Sequence, residues 1–245
     1  MKGSVPVFNQ LDFERAWQQK LSRAVEAAAG DEVRRRVMEG SEDLDVSADR
    51  QTVIAWTEHA MESLIVAVEP AQRRAIMASC ACQYPVDNLQ DARKAYAETG
   101  SIEAAHAVLQ EMFRGFLRDV LELDEAVVED VIHRGWGLAG VVEGSRVIAT
   151  KIPKSGNLAA HLRESDPQRR RQLYCHCPRV RDALTMVDSP WPPEVAETYC
   201  VCGAGFYKGI WEEIVQGPVH VELLESVLRG DDVCKVAVHL PREAP

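Results

Sequence analysis

Apolar residues recur at helical spacing through the first two-fifths of the chain and alternate strictly near its end. Residues 12–28 (DFERAWQQKLSRAVEAA) are rich in Ala, Leu, Gln and Glu, which lose little entropy in a helix. Gly30 stops that run, and the polar stretch from Gly40 to Asp45 reads as a loop. Ser47 is placed to cap a helix reaching Val68, with Val53, Trp56, Ala60, Leu64 and Val68 along one face. Pro70 suits the first turn of the next helix, which runs to about Cys80. A short helix over 88–98 ends at Gly100. Ser101 opens another, with Ala105, Val108, Leu109, Phe113 and Leu117 as its stripe, and Asp124 caps one more through His133.

Near residue 138 the pattern changes. Val141 to Ile148 reads as a hairpin with Gly144 in its turn. Residues 153–174 are polar and read as a loop with a helix over Asn157 to Arg163. The segment Pro190-Trp191-Pro192-Pro193 reads as stiff and irregular. Phe206, Ile210 and Ile214 form a helical stripe that Gly217-Pro218 ends. Val219, Val221 and Leu223 then alternate as a strand, Gly230-Asp231-Asp232 turns, and Cys234, Val236, Val238 and Leu240 alternate as the returning strand. The expected class is α+β. Residues 1–137 are expected to form a helical region, a lid or a homodimer surface, and residues 138–245 a cysteine-rich α/β domain with antiparallel hairpins.

The 245 residues suffice for one large domain or two small ones. A formal net charge of −10 repels phosphate backbones, so no nucleic-acid partner is expected. The short basic runs Arg34-Arg35-Arg36 and Arg169-Arg170-Arg171 read as solvated faces. No apolar run approaches the roughly 18 residues that span a bilayer, so no membrane partner is expected. The N-terminal segment lacks the apolar core of a secretory signal, which makes the cytoplasm the expected location. Thiols stay reduced there, so seven cysteines suggest ligands or reactive groups more than disulfides.

Six of the seven cysteines stand in Cys-x-Cys pairs: Cys80/Cys82, Cys175/Cys177 and Cys200/Cys202; the seventh is Cys234. The second and third pairs share a frame, Tyr174-Cys175-His176-Cys177-Pro178 and Tyr199-Cys200-Val201-Cys202-Gly203. Soft thiolates in such numbers suit zinc or iron. In extended chain the i and i+2 side chains lie roughly 6–7 Å apart, whereas zinc with Zn–S bonds of about 2.3 Å draws its sulfurs closer. Chelation by one pair therefore needs a bent backbone, which Pro178 and Gly203 would permit. Burial as small apolar side chains, or a reactive thiol, is the alternative. His176 would point away from its flanking thiols. Cys80 and Cys82 sit at a helix end, as packing residues or as additional ligands.

The stretch from Tyr199 to Pro241, with its Cys, Gly, aromatic helix, Glu-bearing strand and Gly-Asp-x-x-Cys, resembles the C-terminal part of the 4-vinyl-reductase domain. From Tyr174 onward it is also similar to proteins grouped with aminothiazoline-carboxylate hydrolases. The resemblance implies a fold that encloses a small ligand, with zinc held by Cys202, Glu222 or Glu225, and Cys234. Where that family carries a further cysteine this chain has Ser226, so Cys175, Cys177 or Cys200 would complete the set.

Glu222 and Glu225 lie on a strand amid apolar residues, where a carboxylate beside a metal acts as a base for water. Glu212 and Glu213 read more plainly as solvated charges. Tyr174, Tyr199, Phe206, Tyr207 and Trp211 are candidates to line a substrate pocket, or else core. Two functions follow. One is a metal-thiolate, hydrolase-like enzyme acting on a small heterocycle or sulfur compound, with zinc or iron as cofactor. The other is a non-catalytic sensor or carrier that binds a metal or small molecule in the same cysteine pocket.

Overall fold

The computed structural model describes residues 10–44, 48–186 and 191–241. Its class is α+β: a helical N-terminal part, then a small four-stranded antiparallel sheet. Helix α1 (Gln10–Val37) bends at Gly30, whose φ of 84° only glycine adopts without strain. The residue expected to stop the helix therefore redirects it. Helix α2 (Arg50–Ala67) is capped by Asp49, whose side chain accepts from the Thr52 N–H at 2.9 Å. Ser47, the expected cap, lies outside the described residues, as do Asp45 and Pro190. All five residues of the expected α2 face are buried.

Helices α3 (Pro70–Ser79), α4 (Gln90–Thr99), α5 (Ile102–Gly115) and α6 (Glu125–His133) follow where the periodicity placed them. Ser101 caps α5 by accepting from the Ala104 N–H. A π-helical turn over Phe116–Val120 extends α5. Such wide turns reposition side chains and are frequent at functional sites.

Strands β1 (Val141–Glu143) and β2 (Arg146–Thr150) form the first hairpin, and β3 (His220–Glu225) and β4 (Lys235–His239) the second. The sheet order is β1-β2-β4-β3, so β2 and β4 pair across the centre, with Ile148 opposite Ala237.

Three helices of the C-terminal half depart from the sequence expectation. Besides α7 (Leu158–Arg163), the stretch read as loop holds α8 (Pro167–Tyr174), opened by Pro167 and capped by Asp166. Helix α8 is polar along most of its length, with Tyr174 its buried residue, so it shows no apolar stripe to detect. Helix α9 (Pro178–Met186) follows directly. Helix α10 (Pro193–Val215) begins far earlier than the stripe at Phe206 indicates, with Pro193 in the first turn, where its missing N–H costs nothing.

Helix α10 joins two apolar cores. Its first half supplies Val195, Ala196, Tyr199 and Val201 to a core shared with α1, α2, α3 and α9. Its second half supplies Ala204, Tyr207, Ile210, Trp211 and Ile214 to a core shared with α4, α5, α6 and the sheet.

Candidate functional site

The cysteines come from four segments. Cys80 ends α3 and Cys82 follows it; Cys175 and Cys177 flank His176 in the link between α8 and α9; Cys200 and Cys202 lie within α10; Cys234 precedes β4. All seven thiols are free. They are close enough to influence one another electrostatically. Cys175 feels Cys234 and Cys177, Cys200 feels Cys234, Cys175 and Cys177, and Cys202 feels Cys80, Cys177 and Cys82. For each of these, burial is the larger cause and raises the pKa, as it does for Cys234 and, to about 12, for Cys80.

The bend expected at Cys200-Val201-Cys202 is absent. On a helix, i and i+2 side chains point about 200° apart. Cys200 accordingly faces Ser226, Cys175 and Cys234, while Cys202 faces Trp17 and Cys80. The two cannot close on one ion. Among the described residues, no group of three or more His, Cys, Asp or Glu side chains is placed to hold a metal. Ser226 is fully buried, its side chain accepts from the Leu228 N–H, and its nearness lowers the pKa of both Cys200 and Cys234 against the larger effect of burial.

Cys177 Sγ lies 3.1 Å from the Tyr199 hydroxyl, and the Tyr199 ring packs on Trp17 and Trp191. Beyond it, the buried Arg179 guanidinium stacks 4.4 Å from the Trp17 ring centroid and 6.0 Å from that of Trp56. It has no hydrogen-bond partner among the described residues. The Tyr174 hydroxyl donates to the Lys151 carbonyl and accepts from the Cys234 N–H at 3.0 Å.

A cavity of about 380 Å³ adjoins the thiols. Tyr84, Met112, Phe113, Phe116, Phe206 and Tyr207 give it an aromatic, largely apolar wall, closed by Gly137, Leu138 and Ile152. Gly137 is required there: at φ 93° it faces the Phe113 ring so closely that a Cβ would collide with it. The Tyr207 hydroxyl donates to the Gly137 carbonyl at 3.0 Å. Polar chemistry enters through Lys151, His176 and Cys82. A broader groove of about 830 Å³ between α3, the 81–89 segment and α10 meets this cavity at Cys82 and Tyr84.

His176 Nε2 stands 3.0 Å from the Ile152 carbonyl. A carbonyl only accepts, so Nε2 carries the hydrogen and Nδ1 is an acceptor. Part of the ring reaches solvent at the cavity mouth. Burial against the wall, and then the Lys151 charge, still lower its pKa to about 4.

Of the five aromatic candidates, Phe206 and Tyr207 line the cavity. Tyr174 and Tyr199 instead brace the thiols, and Trp211 is wholly buried in the sheet-side core. Glu222 is exposed, 3.5 Å from His239, and Glu225 pairs with Lys235 at 2.5 Å. Neither lines the cavity. Lys151 and the α5 aromatics were not anticipated as site residues. The run Gly135-Trp136-Gly137-Leu138-Ala139-Gly140, three glycines within six residues, was the sequence signal of a close backbone approach.

Fold and site thus define an α+β protein with an aromatic cavity that carries one exposed thiol, Cys82, in its lining. A family model described as a family of unknown function (DUF6144) matches residues 159–244, a stretch that holds five of the seven cysteines. No curated protein and no solved structure matches the chain.

Proposed function

We propose that the protein binds a small, largely apolar molecule in the cavity between α5, α10 and the end of β2, without a requirement for turnover. The observation that carries this reading is the cavity itself: about 380 Å³, aromatic on most sides, with a few convergent polar groups. Small-molecule sites usually have this form, at about 300–1,000 Å³. The resemblance of residues 199–241 to the C-terminal part of the 4-vinyl-reductase domain points the same way. Seven unpaired thiols suit the reducing cytosol. Among the described residues, no helix is long and apolar enough to cross a membrane.

A neutral fluorophore, N-phenyl-1-naphthylamine, tests the reading. It should bind saturably to the wild type and lose that binding in Leu138→Trp, which fills the cavity. Circular dichroism checks that the variant is folded. Equal binding by a folded Leu138→Trp protein would remove the proposal.

The second reading is a soft metal ion, zinc or iron, taken up by the thiols. Its support is the convergence of cysteines from four segments beside two cations, Lys151 and Arg179, that lack carboxylate ion pairs among the described residues. An anionic metal–thiolate group would balance those charges. Uptake would require side-chain and helix rearrangement, and Glu222 and Glu225 lie outside the cavity that a hydrolase would use. Metal analysis of protein purified without chelator decides it: less than a tenth of an equivalent, by the order of magnitude expected of a real structural site, ends that reading.

A further inference from the structure

The polar complement of the cavity is small enough to describe its occupant. Lys151 is fixed by its backbone. Its N–H donates to the Cys234 carbonyl at 2.9 Å, and its own carbonyl accepts from the Tyr174 hydroxyl. The side chain lines the cavity, with Nζ 5.8 Å from the Phe206 ring centroid. Among the described residues no carboxylate lies within ion-pair distance of this ammonium. Lys208 and Lys235, by contrast, pair with Glu212 and Glu225. A half-buried cation over an aromatic face gains some stabilisation from the ring, but its remaining donors want an acceptor.

The second polar group is His176. Its Nε2–H is spent on the Ile152 carbonyl, which leaves Nδ1 as an acceptor. The Lys151 charge nearby opposes protonation of the ring, so one wall offers a cation and a neutral acceptor side by side. The Tyr207 hydroxyl is already committed to the Gly137 carbonyl. What remains, Tyr84, Met112, Phe113, Phe116 and Phe206, presents ring faces and a thioether that suit a flat apolar body.

Resting on the reading of this cavity as a ligand site, we propose that its ligand is a flat aromatic monoanion whose carboxylate-like group pairs with Lys151 and whose N–H or O–H donor meets His176 Nδ1. A neutral or cationic aromatic leaves the ammonium unpaired or repelled. A donor-free anion leaves Nδ1 facing an apolar surface. A charge-assisted hydrogen bond contributes about 1.5–3 kcal/mol, roughly a tenfold or greater effect on affinity.

Three probes of one shape separate these contributions: indole-3-acetate, its neutral amide indole-3-acetamide, and the donor-free 1-methylindole-3-acetate. Each is titrated against the wild type, Lys151→Met and His176→Phe, with displacement of N-phenyl-1-naphthylamine as the readout. The acid should bind about tenfold more tightly than the amide in the wild type, and that preference should vanish in Lys151→Met. Methylation should weaken binding to the wild type and leave His176→Phe indifferent. If the fluorophore binds but acid and amide displace it equally, or the preference survives in Lys151→Met, the anion assignment falls while the cavity reading stands. If the fluorophore itself does not bind, both fall.

Discussion

Gly205 of α10 lies directly against the backbone carbonyl of Ala78 in α3, with no room between them for a methyl group. This contact sets how closely the two helices pack, and it brings the Cys80–Cys82 segment beside Cys202. Gly205→Ala should therefore cost about 3 kcal/mol through overpacking. Gly209, one turn on in the same helix, faces open space. Gly209→Ala should be neutral or gain up to about 1 kcal/mol from helix propensity. Urea unfolding of both variants checks the contrast, and comparable effects at the two positions would contradict the packing described.

The Tyr207 hydroxyl and the Gly137 carbonyl are buried together. Tyr207→Phe removes the donor and strands the carbonyl, so a loss of about 1–2 kcal/mol is expected. The same variant leaves the aromatic cavity wall in place. Binding of a neutral aromatic should hold within about threefold, since no ligand bond is removed. An unchanged unfolding midpoint would mean that water replaces the hydroxyl.

Thiol reactivity should divide the cysteines by exposure. Cys82 reaches solvent, whereas Cys80 is buried and its pKa stands at about 12. Alkylation with iodoacetamide at pH 8, read by peptide mass spectrometry, should label Cys82 first and Cys80 last, with all seven sites reacting in denaturant. Early labelling of Cys80 would show that α3 opens readily at its end.

Stability should fall with acid in a window set by histidine. The pKa of His176 drops from the ordinary 6.5 to about 4 on folding, through burial, and that of the buried His161 drops by the same cause. Between those limits the unfolded chain takes up protons that the folded chain refuses. The contribution is whole above about 6.5 and declines as the pH falls toward 4. Several carboxylates are lowered by hydrogen bonds, among them Asp31, Asp49, Glu103 and Glu125, and these act at lower pH. Urea midpoints measured from pH 7 to pH 5 should therefore decrease, and the decrease should shrink in His176→Gln. A slope identical to that of the wild type would place the pKa of His176 near its ordinary value.

Local pattern was sufficient for much of this fold. The Val53–Val68 face, the cap at Ser101, the turn at Gly144 and the alternation over 219–223 and 234–240 each involve neighbours within a few residues. Periodicity and turn chemistry record such relations directly. The α+β class was readable for the same reason. Helix α8 left no such record, being polar along most of its length, and the true start of α10 was hidden behind Pro192 and Pro193.

Only the folded chain decided the site. Cys200 and Cys202 read as a chelating pair until α10 turned them to opposite sides, and Ser226 acquired its place between two thiols from the return of β4. Lys151, Phe113 and His176 are distant from one another in sequence and meet because β2, α5 and the α8–α9 link pack around the end of α10. Periodicity records which face of an element is apolar. It holds no information on which distant element that face will meet, because that follows from the packing of all elements at once.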